Sequence, residues 1–181
     1  MRRTSATADA RPLTSPSTGS KRLVELAEAE VRTLTPDDCT RLVKMDAEHS
    51  GRERAAWYEG KLKRALDDTD LRISLGAESD GILVGAFLGA LDYGEFGKPE
   101  PVAILDTVLV DREYGRRGIA TALMDQLLKN LRGLGITGLR TEVAWTDHEL
   151  TRYFQRAGFQ PVPRLVLELD VNATREEGTM G

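Results

Sequence analysis

The chain has 181 residues and a formal net charge of −4, with acidic and basic residues interspersed. That is enough length for one domain with its own core, and it carries no basic stripe of the kind nucleic acid requires. The apolar runs fall far short of the roughly 20 residues that span a bilayer, and no charged segment followed by an apolar one opens the sequence, so a cytoplasmic protein with no membrane partner is expected. Cys39 is the only cysteine, which excludes an internal disulfide and a thiolate metal cluster; no metal is expected.

In chain order, residues 1–20 are rich in Ser, Thr, Ala and Pro and are expected to form a disordered tail, as are residues 172–181. The segment between, 21–171, is the expected domain. Residues 23–30 form a short helix or a frayed lead-in, and 31–34 alternate like a first strand. Thr35-Pro36-Asp37-Asp38 is a helix start, with a cap, a proline at the first position and acids in the first turn. That helix turns Leu42, Val43 and Met45 inward and ends before Ser50-Gly51. A second helix over 52–66 places Trp57, Leu62, Ala65 and Leu66 on one side. Segments 71–78 and 82–91, joined by Ser79-Asp80-Gly81, read as a hairpin. A loop over 93–99 precedes a strand over 101–110. A long helix, a strand over 137–144, a helix over 148–157 and a final strand over 165–171 complete the order.

The most informative stretch joins the strand end Val108-Leu109-Val110 to a basic turn, Gly115-Arg116-Arg117-Gly118, and a helix that opens at Ile119-Ala120-Thr121. The first turn of a helix carries backbone N–H groups without internal partners and a partial positive charge, so an anion is stabilised there. Gly115 and Gly118 allow close approach of the backbone, and Arg116 and Arg117 add charge. Ile119, Ala122, Leu123, Leu127, Leu128 and Leu131 recur at helical spacing and bury one face. A Walker loop needs Gly-Lys-Ser or Gly-Lys-Thr, and a dinucleotide fingerprint needs Gly-x-Gly-x-x-Gly; neither is present. A pyrophosphate is the expected ligand, against an ordinary strand-to-helix connection with exposed arginines.

This stretch resembles the acetyl-CoA motif of the GNAT superfamily, the acyl-CoA-dependent N-acetyltransferases. In that family a strand ending Leu-x-Val leads to Arg or Gln-x-x-Gly-x-Gly or Ala at a helix start. Gly115 departs from the pattern at the first loop position. Downstream, Thr141-Glu142-Val143, Asp147, Phe154 and Gly158-Phe159 are similar to the second half of the same fold, and the likeness spans roughly 31–171. It implies an α/β class, a central twisted mixed sheet with helices on both faces in the order β-α-α-β-β-β-α-β-α-β. It also implies acetyl-CoA as co-substrate, held by Val108, Leu109, Val110, Gly115, Arg116, Arg117, Gly118, Ile119, Ala120, Thr121 and Asp147. The two central strands are expected to splay, freeing main-chain groups for the pantetheine arm, with the Val108 N–H a candidate to polarise the thioester carbonyl.

The implied reaction is direct attack of a primary amine on acetyl-CoA in a ternary complex. Glu142 is the candidate base, acting through water, because it matches a Glu-Val position of the branch that acetylates protein N-termini; a solvated strand glutamate fits equally. Asp106 and His148 are weaker candidates. Phe154 stands where many members carry a tyrosine acid, Tyr153 lies about 100° round the helix from it, and no general acid is assigned. Asp147 either touches the cofactor arm or caps its helix. Trp57, Tyr58, Tyr93 and Phe96 are candidates to line the acceptor groove, and Glu48, Glu53, Glu59 and Glu95 to attract an amine. The acceptor is a peptide amine, or alternatively a small-molecule amine; a non-catalytic acyl-CoA sensor is the remaining alternative. A homodimer through the sheet edge or final strand is an expectation by analogy.

Overall fold

A computed structural model of the protein describes residues 29–67, 73–93 and 100–171. The expected tails, most of the lead-in over 23–30 and the loop positions Glu95 and Phe96 lie outside the described residues.

Strand β1 (Glu30–Thr33) runs into the Thr35-Pro36-Asp37-Asp38 turn, where the Thr35 N–H donates to Asp38 Oδ2 at 2.7 Å. This satisfies a donor that a helix start leaves orphaned. Helix α1 (Cys39–Ser50) follows and ends on Gly51 at φ +71°, a left-handed cap that glycine adopts without strain. Helix α2 (Ala55–Asp67) packs beside it. Strands β2 (Leu75–Ser79) and β3 (Ile82–Asp92) form the hairpin, and its two turn residues, Asp80 and Gly81, both have positive φ. A two-residue turn of that hand matches the twist of the strands it joins.

Strand β4 (Val102–Val110) pairs antiparallel with β3, and helix α3 (Ile119–Gly133) then crosses over to β5 (Gly138–Arg140), which pairs parallel with β4. Helix α4 (His148–Arg156) closes the order, and the sheet reads β1-β2-β3-β4-β5. The expected element order therefore holds through α4. Strand β5 is shorter than the 137–144 expected from the sequence. The anticipated last strand, 165–171, joins no strand of the sheet among the described residues; Leu165, Leu167, Leu169 and Val171 stand in solvent.

Two apolar layers flank the sheet. On one face α3 contributes Ile119, Leu123, Leu127 and Leu131, spaced by four, onto Leu75, Val84, Phe87 and Leu105. On the other, Leu42, Met45, Tyr58 and Leu62 from α1 and α2 meet Leu83, Ala86, Leu88 and Leu109. Of the two neighbouring aromatics on α2, Trp57 is 43 % exposed and Tyr58 fills the core.

One irregularity positions the site. Leu88 pairs with Thr107 but Gly89 pairs with Leu105, so Asp106 is an extra residue, a β-bulge. The bulge exchanges the faces of the strand: Ala103 and Leu105 lie against α3 before it, Val108 and Val110 after it. Gly89 makes this possible, since a Cβ there would run into the Ile104 carbonyl oxygen.

Candidate active site

Pairing between β4 and β5 stops at Ile104 opposite Arg140. Beyond that point β4 continues to Val110 with only β3 beside it, so one edge of 105–110 has no strand partner among the described residues. The expected splay of the central strands is present. Asp106 lies on the part of β4 beyond this last pair, and Glu142 follows the end of β5.

A groove of about 1150 Å³ opens at the far end of this edge. Its lining includes Val110, Gly115, Arg116, Gly118, Ile119, Ala120 and Thr121, seven of the residues expected to hold the cofactor. The first helical bond of α3 is Ala122 N–H to the Gly118 carbonyl at 2.9 Å, so the N–H groups of residues 119–121 have no intrahelical acceptor. Gly118 sits at φ +84° and Arg116 at φ +63°. The left-handed residues of the loop are therefore Gly118 and Arg116; Gly115, expected to supply the same freedom, has φ −56°. Its own role is tightness, since an added Cβ would lie 3.3 Å from the Arg112 carbonyl oxygen.

The remaining expected residues fall around the groove. Val108 is half-buried against the α3 layer, Leu109 points into the opposite layer, and Arg117 is exposed with its guanidinium 5.2 Å over the Tyr114 ring. Asp147 caps α4, accepting from the Leu150 N–H at 2.9 Å, which supplies the capping role left open by the sequence. Glu142 is exposed and lines neither cavity described here; His148 is exposed at the first turn of α4.

Further residues line the groove, among them Arg112, which belongs with Arg116 and Arg117 to the basic cluster expected to meet phosphate. Tyr153 and Arg156 line it from α4, Arg112 from the turn after β4, and His49 from the end of α1, where its Nε2 lies 2.8 Å from the Val110 carbonyl oxygen. Tyr153 donates its hydroxyl to the Ala120 carbonyl at 2.8 Å, and burial pushes its pKa up, so the phenol stays protonated. Phe154 is 4 % exposed and packs in the core against Phe159. A signal was available: Glu149, Tyr153 and Arg156 recur at four and three residues, one helix face.

A second cavity, of about 360 Å³, lies at the bulge on the other face of the sheet. Asp106, Gly89, Leu88 and Leu91 form its floor; Trp57, Lys61 and Arg64 of α2 form its wall. Asp106 accepts from Thr107 Oγ1 at 3.0 Å and is ion-paired to Lys61, whose side chain is only 12 % exposed and whose ammonium stands 4.5 Å from the Trp57 ring centroid. The acidic residues anticipated for the acceptor, Glu48, Glu53 and Glu59, instead border a separate groove along α1 and α2.

Comparison with known proteins decides the family. The model of the Acetyltransferase (GNAT) family matches residues 21–159. The chain belongs to the GNAT family. It is accordingly an acyl-CoA-dependent N-acetyltransferase, and acetyl-CoA is its co-substrate. Among solved structures, a transcriptional regulator from Bacillus halodurans C-125 aligns with a TM-score of 0.68 at 16 % identity, covering 79 % of this chain and 99 % of that one. The aminoglycoside N-acetyltransferase AAC(6')-Iy in complex with CoA aligns at 0.67 and 16 %, covering 80 % and 95 %. The ribosomal-protein-alanine N-acetyltransferase from Brucella melitensis biovar Abortus 2308 aligns at 0.63 and 19 %, covering 78 % and 98 %. At these identities the likeness is one of fold. No curated protein matches the chain. Among the described residues no helix is long and apolar enough to cross a membrane, and no group of three or more His, Cys, Asp or Glu side chains is placed to hold a metal ion.

Proposed function

We propose that this GNAT protein transfers acetyl from acetyl-CoA to a primary amine by direct attack in a ternary complex, with the amine held at Asp106. The observation that carries this is the unpartnered edge of β4, which runs from the Asp106 cavity to the Gly118 groove. The four steps of extended chain from Asp106 to Val110 span roughly 13 Å, so the two cavities are connected by free main-chain groups.

Residues 118–121 hold the coenzyme's pyrophosphate through main-chain N–H groups, with Arg112, Arg116 and Arg156 supplying charge from three sides. The unpaired edge at Val108 and Val110 binds the pantetheine arm as a neighbouring strand would, and the Val108 N–H is the donor for the thioester carbonyl. The bound thioester supplies the acyl group. Asp106 accepts a hydrogen bond from the amine and fixes its lone pair toward that carbonyl, and such positioning is worth several kcal/mol. Lys61 stands beside the same spot, and a like charge lowers an amine's pKa, which favours the free base that reacts. Phe154 offers no proton, and Tyr153 is engaged with Ala120. A thiol of pKa about 8.5 leaves without an acid at small cost.

The test is release of thiol from acetyl-CoA with a panel of amines, comparing Asp106→Asn with Glu142→Gln. A large loss in the first and less than about a threefold loss in the second is expected, since exposed charges away from the reacting atoms contribute little. The reverse order would move the chemistry to Glu142. Residues 165–171 support a homodimer: Leu165, Leu167, Leu169 and Val171 alternate along an exposed segment in a strand-like pattern, and β5 is an edge strand of the sheet. Light scattering on wild type and on Leu167→Asp reads this directly, with the variant expected to be monomeric.

A further inference from the structure

The charges around the second cavity do not suit a plain amine. Among the described lining residues, two cations, Lys61 and Arg64, face a single carboxylate, Asp106. The rest of the lining is apolar, with Trp57, Ala65, Ile73, Leu88 and Leu91. Lys61 is held beside this imbalance, paired with an Asp106 carboxylate that is itself 45 % exposed. The Lys61 side chain is nearly buried, clasped between Asp106 and the Trp57 ring. Once the amine of an acceptor takes a hydrogen-bonding position on Asp106, the ammonium of Lys61 loses part of its neutralisation, and a buried unpaired cation is costly. A negative group on the acceptor itself removes that cost.

We infer that the acceptor is a small amino acid-like molecule that carries a carboxylate close to its amine and an apolar side chain, with Lys61 and Arg64 binding the carboxylate. The inference rests on the proposed function and deepens it by naming the substrate class of the same site. Size agrees: about 360 Å³ is at the small end of ligand pockets, which begin near 300 Å³. The apolar part of the acceptor lies against Trp57, Leu88 and Leu91, and Arg64, on the outer turn of α2, takes the carboxylate in its planar fork.

The experiment compares matched acceptors: leucine, leucinamide and isoamylamine, and phenylalanine, phenylalaninamide and phenethylamine. Thiol release from acetyl-CoA gives kcat/KM for each. The amino acids are expected to exceed both partners in each set by at least about tenfold, the discrimination a lost charged hydrogen bond produces. Arg64→Gln should narrow that gap while leaving CoA affinity unchanged. Equal or better turnover of the amides or the plain amines overturns the inference. If no amine releases thiol, the proposed function fails on its own, and calorimetric titration of the same six compounds into protein saturated with CoA decides the inference. Heat from the amino acids and none from the amides supports it; no difference between them, or no heat from any, overturns it.

Discussion

The two faces of the sheet are built by different physics. The α3 face is apolar packing: Ile119, Leu123, Leu127 and Leu131 seal the helix onto the strands, and the groove at its N-terminus presents main-chain N–H groups. On the α1–α2 face an apolar core is ringed by ion pairs: Arg32 with Asp38 and Glu78, Arg41 with Asp111, Arg54 with Asp46 and Lys61 with Asp106. A site made of N–H groups and a helix terminus accepts one ligand chemistry whatever the side chains are. A site made of charged side chains can be retuned residue by residue. On the proposed assignment the coenzyme side is fixed and the acceptor side variable, which is what one fold needs to serve many amines.

The sharpest break of this comparison is Asp106→Asn. Acetyl-CoA affinity should stay within about twofold, while turnover should fall about 100-fold, the cost of losing orientation at the reacting centre. Paired calorimetry and thiol-release assays check it. A parallel loss of coenzyme affinity would mean that the two cavities are one energetic unit.

Next in size is Gly118→Val. A β-branched residue at φ +84° is strained by roughly 1–3 kcal/mol and crowds the loop, so CoA should bind about 10- to 100-fold more weakly. Binding of a free acceptor, read by the same titration, should not change. If CoA affinity survives, the main-chain account of the groove is wrong.

Gly89→Ala addresses the joint between the faces. Its Cβ would collide with the Ile104 carbonyl and press on the Ile73 side chain. A loss of about 2 kcal/mol in urea unfolding is expected, as for overpacked cores. Turnover should fall further than coenzyme affinity, because the bulge aims Asp106.

This difference between the faces also explains what was legible in the sequence. The strand, the loop and the first turn of α3 are contiguous, so their spacing was visible along the chain, as was the hairpin with its Asp80-Gly81 turn. The bulge was hidden because 102–105 and 108–110 are apolar without alternation, so an exchange of faces at Asp106 leaves no break in the pattern. Lys61 reaches Asp106, and Arg64 joins the same cavity, only because α2 packs against β3; residues some 40 positions apart show no periodicity. Helical spacing alone cannot tell Trp57 from Tyr58 as the inward residue; the cations Arg54 and Lys61 hold the indole at the surface.

The smallest effect concerns acid. Burial alone would raise the Asp38 pKa, but hydrogen bonds from Arg32 and from the Thr35 backbone outweigh it and hold the carboxylate below its ordinary 3.8. The unfolded chain therefore takes up a proton first as pH falls: the stabilisation is complete above 3.8 and is lost below it, through the folded pKa. Arg32→Met should cost about 1 kcal/mol near neutrality, discounted for the partial exposure of the arginine, and should flatten the acid limb of the stability curve. The residue ties β1 and β2 to the turn that starts α1, so the loss belongs to the α1–α2 face. Trp57 fluorescence in a Trp145→Phe background reports that face, because Trp57 lies on α2. Its acid transition should move in Arg32→Met while CoA binding, measured in the same buffers above pH 3.8, does not. A coenzyme affinity that tracked the Trp57 signal would show that the charged layer also holds the groove together, and the division between the two faces would have to be given up.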